Sequence, residues 1–360
     1  MSLTAAPRLA QDIHGQSTSL ARVLEQQCGR GRAQLMEAAA LLRSSERVVI
    51  VGIGASLNAA IPLENLLCSH GIDSCSVEAG ELLHYRLAAY RDAAFAVVSR
   101  SGESVEIAKV LTALRGRVPI IGVTDVPGST LARAADIVLD LRSLADEMVA
   151  IQSYTGTVLA LYLLGMAVVD QLDAAHKEVD ALLPNLSSWI EAHLGASRDW
   201  DAFLERDPAI YTLGRGPSHG SALQGALLFN EIAKTPAIGM AVASFRHGPI
   251  EVVDQRFRGL IFAPHGRTRD LNMGVAKDIV RFGGSVRLIG PVDADGSGLQ
   301  WISTQSCSDM LAPLLEIVPV QVAAMRLAEL RGMVVGSFRF APQVTRDEGS
   351  IRLEHSTTVD

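Results

Sequence analysis

Short, nearly unbroken apolar runs alternate with stretches of helical period along most of this chain. Residues from about 8 to 44 place Leu20, Val23 and Leu24, then Leu35, Ala38, Leu41 and Leu42, at three- and four-residue spacings, which predicts helix. Strand patterns follow at 47–51, 73–77, 93–99, 118–123 and 137–141, with helical segments between them. These runs of Val, Ile and Ala leave no polar face. Strands of that kind are buried on both sides, so the pattern predicts an α/β fold built on parallel sheet.

A long apolar helix through 154–170 and a polar helical connector to about 201 interrupt the alternation, and then it restarts. Gly214-Arg215-Gly216-Pro217-Ser218 repeats Gly52-Ile53-Gly54-Ala55-Ser56, 162 positions later, at the end of another apolar run. Further strands are expected at 259–263 and 285–289. One unit is used twice. The expected organisation is a helical segment over 1–44, a first α/β domain over 45–185, a second over 186–345 and a tail over 346–360, since 360 residues exceed a usual single core.

Composition narrows the function. Hydrophobic residues make up 48% and charged residues 20%, as in a globular protein. The net charge of −7 argues against a nucleic-acid partner, which selects for a basic face. No apolar run is long enough for a membrane span, and Met1-Ser2-Leu3-Thr4 does not open a signal peptide, so a cytoplasmic protein is expected. Cys28, Cys68, Cys75 and Cys307 show no metal-ligand spacing and are expected to be buried free thiols.

The stretch with the most chemistry is Ser99-Arg100-Ser101-Gly102-Glu103-Ser104, directly after the strand pattern at 93–99. Three hydroxyls could donate to one anion, Gly102 lets the backbone approach closely, and a helix starting near Ser104 would turn its orphan N–H groups and positive dipole end the same way. The same residues also describe an ordinary strand-to-helix turn with a serine N-cap. The second loop, Gly54-Ala55-Ser56, favours the phosphate cradle, because ligands of parallel sheets sit at the carboxyl ends of strands where the winding reverses. In the second half, Ala263-Pro264-His265-Gly266-Arg267-Thr268 takes the place of the serine cluster, which predicts one phosphate site per chain, in the first half.

Taken together, Gly54-Ala55-Ser56, Ser99-Arg100-Ser101-Gly102-Glu103-Ser104, Asp125-Val126-Pro127-Gly128-Ser129, Gly214-Arg215-Gly216 and Arg246-His247-Gly248-Pro249 resemble the tandem sugar isomerase (SIS) domain family. The likeness is to the isomerase half of glutamine:fructose-6-phosphate amidotransferase and runs from about 45 to 345. It implies two five-stranded parallel sheets flanked by helices, a homodimer with shared sites, and a hexose-phosphate or amino-sugar-phosphate ligand. It assigns substrate or phosphate contacts to Gly54, Ala55, Ser56, Ser99, Arg100, Ser101, Ser104 and Gln343, with Arg100 where that family usually has glutamine.

The resemblance further implies that Glu231 carries a proton between C1 and C2, and that His247, from the other subunit, assists ring opening. Chemistry supports the first role independently: aldose–ketose interconversion through an enediol needs one carboxylate between two adjacent carbons, with a pKa near the working pH. It supports the second as well, since ring opening needs a group that gives and takes a proton near neutrality. The open sugar's own carbonyl stabilises the carbanion, so no cofactor or metal is expected. Departures also matter. Gln343 stands where the family has a Schiff-base lysine, Gln152, Gln224 and Leu228 replace other charged residues, and Ser2 occupies the place of the glutaminase cysteine. An amide cannot be that nucleophile. A sugar-phosphate isomerase or amino-sugar-phosphate deaminase is the leading expectation, and a non-catalytic sugar-phosphate sensor the alternative. A dinucleotide-dependent dehydrogenase is disfavoured, because Leu57 stands where the third fingerprint glycine belongs, although Glu78 lies near the ribose-binding position.

Overall fold

The computed structural model describes residues 8–205, 208–292, 298–335, 338–340 and 344–349. The N-terminal segment forms α1 (Arg8–Glu25) and α2 (Arg32–Ser44), separated by a π-helical turn at Gln26–Arg30 that the helical spacing alone does not reveal. The first sheet follows, with β1 (Val48–Gly52), α3 (Ala55–Ser69), β2 (Ser74–Glu78), α4 (Ala79–Glu81), β3 (Ala94–Val98), α5 (Val105–Leu114), β4 (Ile120–Thr124), α6 (Thr130–Ala134) and β5 (Ile137–Asp140). Three helices lead on: α7 (Gln152–Val168), α8 (Leu172–Gly195) and α9 (Asp201–Leu204). The second unit comprises β6 (Ala209–Gly214), α10 (Ser218–Ile232), β7 (Ala237–Ala241), α11 (Val242–Arg246), β8 (Phe257–Phe262), α12 (Arg269–Arg281), β9 (Ser285–Gly290), β10 (Trp301–Ser303) and α13 (Pro313–Leu330).

Both sheets are five-stranded and parallel throughout, as expected. Their orders are β2-β1-β3-β4-β5 and β10-β9-β8-β6-β7. Read from its other edge, the second order repeats the first, so each sheet reverses its winding next to its first strand. The crevices lie at β1/β3 and at β6/β8, outside the carboxyl ends of those strands. Strands β1, β3 and β4 are buried along their whole length, which is why their sequences read as continuous apolar runs.

One hydrophobic core runs between the sheets. It gathers Leu20 and Val23 of α1, Leu63 of α3, Leu159 and Leu163 of α7, Leu228 and Phe229 of α10 and Ile317 of α13. Helix α7 is buried around almost its whole circumference, which explains its apolar sequence without a membrane. Among the described residues no helix is long and apolar enough to cross a bilayer. Separate clusters cover the outer face of each sheet, centred on Phe95 and Val97 in the first and on Phe245, Phe257 and Ile261 in the second. Helix α8 runs continuously across the expected boundary at 185/186. The cysteines are free, but the expectation of burial needs correction: Cys68, in the last turn of α3, is exposed, and the other three are partly buried.

Candidate active site

The first crevice holds a cavity of about 240 Å³, whose wall includes the carboxyl-end loops of β1 and β3, the first turns of α7, and Leu227 and Glu231 of α10. Backbone sterics shape its floor. Gly54 caps α3 with φ +53°, and a Cβ on Gly52 would fall 2.8 Å from the Leu57 nitrogen, so α3 starts tight against the strand end. Ser56 sits in the first turn of that helix and lines the cavity with Gly54 and Ala55.

The β3 loop is braced from outside. Gly102 has φ +64°, and a Cβ there would lie 2.6 Å from Ser129 Cβ, which restricts the position to glycine. The Glu103 carboxylate accepts from Thr130 N–H and Oγ1, both at 2.7 Å, and these bonds hold its pKa below the usual range. The Arg100 carbonyl accepts from Thr124 Oγ1 at 2.9 Å and from Asp125 N–H at 3.1 Å. Within the loop, Ser99 Oγ accepts from Gly102 N–H at 3.2 Å and Ser101 Oγ from Glu103 N–H at 3.3 Å, which leaves both hydroxyl protons to point at a ligand. Ser104 is the N-cap residue of α5, yet its side chain makes no capping bond. Its hydroxyl is therefore free for an anion at the helix N-terminus.

Glu231, in the last turn of α10, faces this cradle across the cavity. Burial pushes its carboxyl up to about 7, against the smaller opposing pull of Lys234 and Arg100. A carboxyl at that level exchanges a proton readily at neutral pH. Seven of the expected phosphate contacts and Glu231 thus share one cavity. His247 does not line it: the residue is exposed, just past α11, with its N–H on the Ser244 carbonyl at 3.1 Å. Gln343 lies outside the described residues, but the chain just beyond it reaches the cradle, where the Thr345 carbonyl accepts from Val105 N–H at 3.0 Å. Glu348 then pairs with Lys109 and His84.

Several members of the site carry no sequence signal. Asp146 caps α7, accepting from Gln152 N–H at 2.7 Å and Ser153 N–H at 3.1 Å and from the Ser153 hydroxyl, and so sets Ser153, Tyr154 and Thr157 in the wall. Burial raises its pKa. Lys234, with φ +48°, bonds the Glu231 carbonyl and stands 5.7 Å from the centre of the Phe338 ring, itself part of the wall. Burial, and then Arg339, lower its pKa. The replaced positions turn inward instead: Gln152 is buried against Gly15 of α1, Gln224 accepts from Asn58 Nδ2 at 3.1 Å, and Leu228 is core. No group of three or more His, Cys, Asp or Glu arranged for a metal occurs among the described residues.

The SIS domain model matches residues 41–169 and 203–297, which take in the whole first sheet and strands β6–β9 of the second. The chain belongs to the SIS domain family. Glutamine–fructose-6-phosphate aminotransferase of Pyrobaculum aerophilum is 28% identical over 334 residues, covering 90% of this chain and 55% of that protein. The Escherichia coli enzyme of the same name is 26% identical, covering 90% and 56%. This SIS protein therefore spans about half the length of the curated relatives it matches. Among solved structures, the C-terminal domain of the Francisella tularensis glucosamine-fructose-6-phosphate aminotransferase superposes with a TM-score of 0.78 at 19% identity, covering 92% of this chain and 99% of that one. A glucosamine-6-phosphate deaminase from Thermotoga maritima gives 0.74 at 20%, covering 94% and 99%, and a tagatose-6-phosphate ketose/aldose isomerase from Escherichia coli 0.76 at 17%, covering 95% and 98%. The fold is that of sugar-phosphate isomerases.

Proposed function

We propose that this SIS protein is a sugar-phosphate isomerase or amino-sugar-phosphate deaminase, acting in the cytoplasm as a homodimer on a hexose-6-phosphate such as glucosamine-6-phosphate or fructose-6-phosphate. One observation carries the reading: a hydroxyl cradle and a carboxyl held near neutrality face each other across a single cavity. The phosphate sits on Ser56, Ser99, Ser101 and Ser104, and the sugar extends towards Glu231. In the open-chain form, the C1 carbonyl acidifies the proton on C2. Glu231 takes that proton to leave an enediol and returns it to C1, converting aldose to ketose. Arg100, within electrostatic reach of Glu231, steadies the negative charge. With an amino sugar, the same transfer leaves an imine at C2. Water adds there and the C2–N bond breaks, so glucosamine-6-phosphate and water give fructose-6-phosphate and ammonia. His247 of the partner subunit opens the ring.

A sensor that binds without turnover is the second reading, favoured by the burial of Gln152, Gln224 and Leu228 in helix packing rather than in the cavity. Deuterium exchange at C2 of a bound sugar phosphate in heavy water separates the two. The enzyme reading expects exchange by the wild type, lost in Glu231→Gln with the ligand still bound. Binding without exchange by the wild type would establish the sensor.

A further inference from the structure

A second cavity, of about 480 Å³, lies on the β10 edge of the second sheet, where α8 and the turn after it meet β9 and β10. All three tryptophans of the chain border it: Trp189, Trp200 and Trp301. Trp200 is itself buried beneath Arg287, Trp301 has Arg269 4.7 Å from its ring and Trp189 meets His193 edge-on, so a flat ring would enter against the indole surface these contacts leave. Its polar lining includes four donor-only side chains, Arg287 and the three indoles, beside one carboxylate, Asp199. The Arg287 guanidinium stands 5.1 Å from the Trp200 ring, with Nη2 donating to the Asp199 carbonyl at 2.9 Å. Arg287 Nε, Trp301 Nε1 and Gln305 Nε2 are buried and have no hydrogen-bond partner. Three unpaired donors on one wall are costly unless a ligand supplies acceptors. Anionic oxygens, which only accept, answer these donors better than sugar hydroxyls, each of which accepts but also brings a donor of its own. An anion with acceptor-only oxygens and a planar ring meets both demands.

We propose that this cavity binds a nucleoside phosphate, its base against the indoles and its phosphate or base-carbonyl oxygens on Arg287, Trp301 and Gln305. The Asp199 carboxylate, on the same wall, would accept from a ribose hydroxyl. The proposal is independent of the reading of the first cavity, whose wall contains no tryptophan.

Intrinsic tryptophan fluorescence tests it directly, because every tryptophan reports on this one cavity. The full chain is titrated with UMP and AMP, and in parallel with uridine, adenosine and inorganic phosphate. Saturable quenching by a nucleotide is expected, with affinity falling at least about tenfold in Arg287→Ala. Trp301→Phe, which keeps a ring but loses the N–H, and Gln305→Leu should each weaken binding several-fold, and they serve if Arg287→Ala fails to fold. Quenching should persist in the Ser101→Ala, Ser104→Ala double variant. Absence of saturable quenching by either nucleotide, or quenching untouched by all three cavity variants, overturns the proposal. Equal binding of inorganic phosphate alone overturns the nucleotide assignment.

Discussion

The two halves of this SIS protein share strand order, winding and a G-x-G turn, yet their crevices do opposite things with the same residue. Ser56 opens α3 and lines the first cavity. Its counterpart Ser218 opens α10 and is buried, donating at 3.0 Å to the Glu316 carboxylate. In the first half the loop after β3 presents hydroxyls. In the second, Arg269 at the start of α12 ties down the strand ends, donating at 2.7 Å to the carbonyls of both Ala263 and Pro291, while Arg215 is tied to Asn272 at 3.0 Å. A repeated unit thus keeps its backbone while the serine at its helix start faces a cavity in one copy and is buried against a carboxylate in the other.

The largest test of that contrast is Glu231→Gln. Loss of the proton carrier should cut turnover by about 10²- to 10⁴-fold in a coupled assay for ketose formation or ammonia release, with sugar-phosphate affinity little changed. Full activity in this variant would remove the first crevice from the chemistry. Next comes the partner subunit. In the proposed homodimer with shared sites, mixing Glu231→Gln with His247→Ala protein, each inactive alone, should restore up to roughly a quarter of wild-type activity, because random exchange makes about half the dimers mixed, each with one intact site. Verified subunit exchange without recovery would make His247 a structural residue.

Much of this was readable in advance, and the exceptions have physical causes. Strands β1, β3, β4 and β8 are buried on both faces and announced themselves as apolar runs. Edge strands β7 and β10 are partly exposed, and β10 has only three residues, so neither produced a pattern. The serines of the loop after β3 were legible as a cluster because Ser99, Ser101 and Ser104 lie close together in sequence. Asp146 and Lys234 were not, since each acts through local bonds, to the start of α7 and to the Glu231 carbonyl, that leave no pattern in the sequence, and Tyr154 reads as part of an apolar helix. Glu316 is the extreme case, a carboxyl fully buried in an apolar helix, which sequence pattern would read as a surface position.

Ser218→Ala sharpens the comparison in the other direction. Removing the hydroxyl from the buried carboxyl should lower stability by about 1–3 kcal/mol in urea unfolding and leave sugar-phosphate binding alone. Ligand binding that falls while stability holds would reverse the roles assigned to the two crevices.

The smallest effect is on the pH dependence of stability. Burial raises Glu316 to about 7, so the folded state holds a proton that the unfolded chain gives up near 4.5. Its contribution is therefore fully present below pH 4.5 and lost as pH rises through about 7. Glu316→Gln should flatten the decline in stability between those values by on the order of 1–3 kcal/mol. An unchanged slope would mean that Glu316 stays ionised in the folded protein.

Calorimetric titration with a hexose-6-phosphate tests the central claim, one ligand-bearing crevice out of two, most directly. The account predicts one site per chain in the wild type, the same site in Ser218→Ala, and binding weakened at least about tenfold in the Ser101→Ala, Ser104→Ala double variant, since each charge-assisted hydroxyl contact contributes about 1.5–3 kcal/mol. Two sites per chain, or a comparable loss in Ser218→Ala, would contradict it.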